Sequence, residues 1–146
     1  MPDLTPPTER NSATSRIVVD GQTQPWWDAV AEGRFLLRHC AACDAPYWYP
    51  RPFCPDCWST DVSWVEASGR GTVYTWSVVH RNDVDPFDAE VPYVVAMVDL
   101  EEGPRVATRL VDVAIDEVHV DLAVVVVYRR FGGGDQIPVF APARPA

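Results

Sequence analysis

Residues 40–57 read CAACDAPYWYPRPFCPDC, two CxxC pairs separated by ten residues. A CxxC step folds as a tight turn that aims both sulfurs at one point. Two such turns facing each other complete a four-thiolate cage of the kind that structural zinc takes. Cys40, Cys43, Cys54 and Cys57 are therefore the candidate metal ligands, and Zn2+ is the candidate cofactor. The span between the pairs carries Pro46, Pro50 and Pro52 with Tyr47, Trp48, Tyr49 and Phe53, turn formers and aromatics suited to pairing two strands of a ribbon. Two other uses of such thiols stand beside structural zinc: a redox dithiol, which belongs next to a strand–helix–strand pattern that is missing here, and iron, which four thiolates also accept. A closed cage leaves no coordination position for water, so its metal is a staple and not a Lewis acid.

Downstream of the cage the pattern changes to strands. Residues 71–80 alternate and are rich in Val, Thr, Tyr and Trp, and residues 93–100 are almost wholly apolar, so both read as half or wholly buried. Residues 105–111, 123–131 and 137–140 complete five candidate strands. Five short strands with unequal loops suit an OB-type barrel, with a small sandwich as the alternative. Upstream, TQPWWDAVAEGRF from Thr23 offers a polar cap, Pro25 in the first turn and Gly33 as a stop, which predicts a short helix with Trp27, Val30 and Ala31 on one face. The expected fold class is mainly β. Its expected units are a disordered arm over 1–22, a short helix over 23–36, a rubredoxin-like zinc ribbon over 37–67, an OB-fold barrel over 68–142 and a flexible tail over 143–146.

With 12 Lys plus Arg against 21 Asp plus Glu, the formal charge of -9 repels a polyphosphate chain, which argues against nucleic acid as a partner. The longest apolar run, residues 122–128, is far shorter than the roughly 20 residues of a spanning helix. No early stretch has the layout of a secretory signal, and four cysteines in a reducing compartment point to metal before disulfides. These readings predict a cytoplasmic protein with no membrane partner.

Other chemistry is thinly represented. His39, His80 and His119 are the only histidines; His39 adjoins Cys40, His80 closes the first barrel strand near Asp83 and Asp85, and His119 reads as entering a strand. No GxSxG, HExxH or paired-carboxylate motif accompanies them, so no catalytic residue is assigned. The loop with Asp83, Asp85, Asp88 and Glu90 lacks the Gly and terminal Glu of a calcium loop and reads as solvated. Gly132 to Gly134 lack a following GK[ST] and read as a hairpin connection. Trp48, Tyr49, Phe53 and Trp58 crowd the ribbon tips, either as a docking surface or packed around the metal.

Taken in order, PWWDAVAEGRFLLRHCAAC, YPRPFCPDC, GRGTVYTWSVVHR, PYVVAMVDLEEG and IPVFAPA resemble one family over roughly residues 24–142. It is the bacterial and archaeal zinc-ribbon OB-fold family first catalogued as domain of unknown function 35, whose members associate with thiolases and thiolase-like acyl-CoA aldolases. The resemblance implies a non-catalytic accessory subunit in a hetero-oligomer with a thiolase-like protein. That partner supplies the reactive cysteine, and the complex handles acyl-CoA as an acyltransferase or as a retro-aldol lyase of steroid side-chain degradation. Some relatives occur fused to a hydratase-like domain. Asp121 and Leu122 depart from the family's pattern, in which many relatives have a glycine turn before the valine run. CoA phosphates would call on local cations such as Arg34, Arg38, Arg51 or Arg81. A single-stranded nucleic-acid binder on the barrel and a stand-alone acyl-CoA-binding protein or enzyme are the competing functions.

Overall fold

A computed structural model describes residues 19–144. The arm expected over 1–22, apart from residues 19–22, and residues 145–146 of the tail lie outside the described residues.

Helix α1 spans Gln24–Ala31, with Pro25 at its start, where a missing N–H costs nothing. Thr23 stands at the N-cap position, yet no side chain caps the helix. The Thr23 hydroxyl instead donates to the Asp20 carboxylate (2.8 Å), which also accepts the Gln22 and Thr23 amides. These bonds, those from Thr23 first, hold the Asp20 carboxyl below its ordinary pKa. At the other end Gly33 takes φ +76°, so that its amide reaches Val30 O and the Arg34 amide reaches Ala29 O (2.8 Å), a Schellman stop. The buried face corrects the expected one: Trp26, Ala29 and Val30 are buried, whereas Ala31 is exposed and Trp27 only half-buried. The reason is tertiary, because the Trp26 indole N–H finds the Leu36 carbonyl at 3.1 Å.

Strands β1 (Leu36–Cys40), β2 (Ala45–Tyr47) and β3 (Val62–Glu66) form an antiparallel ribbon in the order β2-β1-β3. Strands β4 (Arg70–Val79), β5 (Tyr93–Leu100), β6 (Arg105–Leu110), β7 (Ala123–Arg130) and β8 (Gln136–Pro142) close into a barrel in the order β4-β5-β6-β8-β7. Closure is antiparallel between β4 and β7, at Arg70 to Thr72, and parallel between β6 and β8, at Leu110 and Phe140. It removes the sandwich alternative. Ala143, in the expected tail, still donates to Ala123 O.

Two local features make the closure possible. Gly69 takes φ +72° with a Val126 side chain where a Cβ would sit, and its carbonyl accepts the Val126 amide at 2.7 Å. Asp121 takes φ +65°, the left-handed turn for which a glycine is the usual choice, and its amide donates to Val73 O while Leu122 O accepts the Val73 amide. The departure at residue 121 is thus absorbed without loss of the strand that follows. His119 lies in the loop before this turn and not in a strand, its ring nitrogen Nδ1 2.8 Å from Val120 O.

One apolar core runs through helix, ribbon base and barrel, from Trp26 and Val30 through Phe35 and Leu37 to Val73, Val98 and Phe140. Phe35 meets Trp26 and Phe140 edge-on, each with centroids 6.2 Å apart. Cys40, Tyr47 and Cys54 form a separate small cluster in the ribbon. Strand β4 departs from expectation: Gly71 and Val73 face inward, but Tyr74 to Ser77 are all exposed. No helix among the described residues is long and apolar enough to cross a membrane.

Candidate metal centre

Each CxxC pair sits on a turn that bends the chain back. The first follows β1, where Cys40 lies in register with Ala45 of β2 and Val62 of β3. The second closes with the Trp58 amide donating to Cys54 O (3.0 Å) and the Cys54 amide to Ser59 O (2.9 Å). In both turns the residue after the second cysteine adopts a left-handed conformation, Asp44 at φ +50° and Trp58 at φ +64°. That reversal carries the chain away while leaving backbone N–H groups directed at the first sulfur, as in the Cys43 amide to Cys40 Sγ (3.4 Å).

The four Sγ atoms all lie within 4.8 Å of one another. Cys40 and Cys57 are 3.7 Å apart, and Cys43 and Cys54 4.0 Å. A tetrahedron with zinc–sulfur bonds of about 2.3 Å has edges of about 3.8 Å, so the donor set fits the ion in kind and in size. Cys40 and Cys54 are buried; Cys43 and Cys57 face solvent. Backbone N–H groups of Cys57 and Asp56 lower the Cys54 thiol to about 7, which favours the thiolate that a metal needs. The hydrogen bond with Cys57, burial and the neighbouring Cys54 push Cys43 up to about 12.

His39, beside Cys40 in sequence, turns to Asp44 (3.2 Å) and stands outside the sulfur cluster. His80 is exposed just beyond β4. The ribbon aromatics divide. Trp48 packs into the main core against Trp26 (5.3 Å) and Phe35 (5.9 Å). Tyr49 and Trp58 are 67% and 73% exposed, the latter stacked on Phe53 at 5.3 Å. Of the four named arginines, Arg34 pairs with Glu32 and Glu66, and Arg81 with Asp83. Arg38 lies 4.2 Å over the Trp64 ring, and Arg51 is exposed.

The acidic loop is only partly solvated. Glu90 ion-pairs with Arg109, whose guanidinium is held between the Tyr93 and Phe131 rings at 4.4 and 4.5 Å. Sequence reasoning missed this assembly, because its members come from three separate segments, around residues 90–93, 109 and 131, and no spacing connects them. Gly132 and Gly133 turn the β7–β8 hairpin with φ of +56° and +74°.

Residues 27–63 match the family described as ChsH2, rubredoxin-like zinc ribbon domain, and residues 64–129 match ChsH2, C-terminal OB-fold domain. A DUF35 domain-containing scaffold protein of Methanocaldococcus jannaschii is 39% identical over 71% of this chain and 74% of its own length. A probable enoyl-CoA hydratase alpha subunit of Thermomonospora curvata is 40% identical over 82% of this chain, which spans only 37% of that protein. Among solved structures, a chain titled Ltp2-ChsH2(DUF35) aldolase superposes with a TM-score of 0.78 at 37% identity, covering 88% of this chain and all of that one. A DUF35 protein from Sulfolobus solfataricus, 11% identical with a TM-score of 0.57, shares the fold. With the ribbon, the closed barrel and these likenesses together, the chain belongs to the ChsH2/DUF35 family of zinc-ribbon OB-fold proteins.

Proposed function

We propose that this protein is a non-catalytic accessory subunit that binds a thiolase-like enzyme and supports its work on acyl-CoA thioesters. In this reading Cys40, Cys43, Cys54 and Cys57 hold one zinc ion, which supplies cross-linking and no chemistry. The units are the helix over 23–36, the ribbon over 37–67 and the barrel over 68–142. The observation that carries the proposal is the likeness, over 88% of this chain, to a chain of an aldolase structure. It is supported by the collection of all four thiols in one cluster, which commits every cysteine to the staple. The reactive cysteine then belongs to the partner, and the reaction is a retro-aldol cleavage of a CoA thioester or an acyl transfer. Thiols kept reduced for metal fit a cytoplasmic site.

The chain's own contribution to CoA binding is small in this reading. Arg34 and Arg81 are already neutralised by carboxylates, and the net charge of -9 opposes a polyphosphate. Hydratase names among the relatives belong to proteins of which this chain spans about a third, so hydration is not carried over.

Reconstitution tests the proposal. The purified chain, a thiolase-like protein of the same organism and their mixture are assayed for cleavage and formation of acyl-CoA thioesters. Turnover is expected only in the mixture. Equal turnover by the thiolase-like protein alone, or turnover by this chain alone, would count against an accessory role. Salt-sensitive binding of single-stranded oligonucleotides would favour the nucleic-acid alternative.

A further inference from the structure

Strand β4 is ten residues long, but it is paired on both sides only at its start. Arg70 to Thr72 face β7, and Val73 exchanges backbone hydrogen bonds with Asp121 and Leu122. Tyr74 sits at the register shift without a partner, from Thr75 to Val79 the strand is in register with β5 alone, and among the described residues no backbone group bonds to the other edge of Tyr74–Val79. This open edge reads YTWSVV, with no charge, no proline and no glycine. Soluble proteins protect free edges with lysines, prolines, bulges or short strands, because an uncharged edge recruits another strand. The register shift between Val73 and Thr75 lies at the beginning of the edge, and nothing interrupts the five residues that follow. Across β4, β5 and β6, on the paired side of this strand, lies an apolar groove of about 560 Å³, lined by Thr75, Trp76, Ser77, Val95, Met97 and Ala107. Trp76 is 36% exposed, Val95 37% and Tyr74 50%.

The geometry points to the Tyr74–Val79 edge of β4 as the docking site for an extended strand of the thiolase-like partner, added to the barrel by main-chain pairing as a further strand beside β4. The inference rests on the accessory reading and deepens it by naming the surface. Free N–H and C=O groups along an edge are satisfied in series only by another polypeptide, which sets aside a lipid or an acyl chain as occupant. A second copy is disfavoured because each chain carries -9 and the edge runs directly into the loop with Asp83, Asp85 and Asp88. The same acidic loop suits a partner strand flanked by basic residues.

The test co-expresses the full chain with the thiolase-like proteins of its own organism, one at a time, and follows backbone amide exchange of free and complexed protein. Complex formation with amide exchange in Tyr74–Val79 slowed at least tenfold is expected, as is a Trp76→Lys chain that folds normally but binds at least tenfold more weakly. Asp116→Lys, an exposed charge change elsewhere, should bind like wild type. If a complex forms while exchange in this strand is unchanged and Trp76→Lys binds normally, the docking surface is wrong and the accessory reading survives. If no complex forms with the wild-type chain, both fall. Sedimentation showing a homodimer that Trp76→Lys dissociates would replace the partner strand by a second copy and overturn the inference.

Discussion

Between Ala41 and Asp61 the ribbon buries Tyr47 and Cys54 and little else, whereas the barrel and α1 share a core of aliphatic and aromatic side chains from Trp26 to Phe140. The two regions meet the cost of ordering a chain by different physics. Burial of a Val, Leu or Phe side chain contributes roughly 1.5–3 kcal/mol, and the barrel has many. The ribbon tip has too few, and four of its residues are prolines, so in the proposed reading its order depends on a cross-link at the sulfurs. The contrast also locates the join. Phe35, Leu36 and Leu37 belong to the barrel's core, while Cys40, on the same strand, belongs to the ribbon's.

Metal removal should break this comparison most visibly. Structural zinc in small zinc-binding peptides contributes on the order of 10–16 kcal/mol near neutral pH, enough to account for the whole order of the tip. Elemental analysis should find one zinc per chain. Strong chelator, or Cys54→Ser, should abolish amide protection between Ala41 and Asp61 while β4–β8 stay protected. A chelated protein with an intact tip would end the idea of a staple.

The reverse perturbation acts on the barrel. Phe140 is 1% exposed and packs edge-on against Phe35, so Phe140→Ala should cost about 3–5 kcal/mol. Denaturant unfolding of the zinc-loaded protein measures the loss, and the zinc content should not change. If zinc is lost too, the regions form one cooperative unit and not two.

Gly69→Ala probes the short link between β3 of the ribbon and β4 of the barrel. A Cβ there meets the Val126 side chain, and a φ of +72° strains any L-residue, so a loss of about 1–3 kcal/mol is expected in the same assay.

The smallest effect lies on the surface. The Arg105 guanidinium holds the Asp99 carboxyl below its ordinary range through a hydrogen bond and charge. A depressed folded-state pKa contributes stability that is present above the unfolded value of about 3.9 and is lost as pH falls through the folded value. Asp99 is 38% exposed at its side chain, so solvent screening keeps the contribution under about 1 kcal/mol. The melting temperature of Asp99→Asn should lie slightly below wild type at pH 7, and the gap should close below about pH 4. A gap that widens in acid would contradict the pairing.

Legibility followed the range of the interaction. The two CxxC turns are local, and the structure gathers the four sulfurs that the spacing brought to attention. Strands with continuous apolar runs were also readable, as in Tyr93–Leu100, where expected and observed limits coincide. The face of α1 was not, because 26–29–30 and 27–30–31 are equally good helical stripes until the Leu36 carbonyl selects Trp26. Nor was the fate of the ribbon aromatics, since composition cannot separate Trp48, which reaches the core, from Trp58, which does not.

The amino-acid sequence by itself determined the mainly β class, the thiol cluster and the five barrel strands, because turn chemistry and apolar periodicity act over a few neighbouring residues. Only the tertiary structure decided that those strands close, that Glu90 finds Arg109 across nineteen positions, and that the second half of β4 has one edge unpaired among the described residues. Each of these depends on which distant backbone or charge arrives at a given side, and no local pattern encodes that arrival.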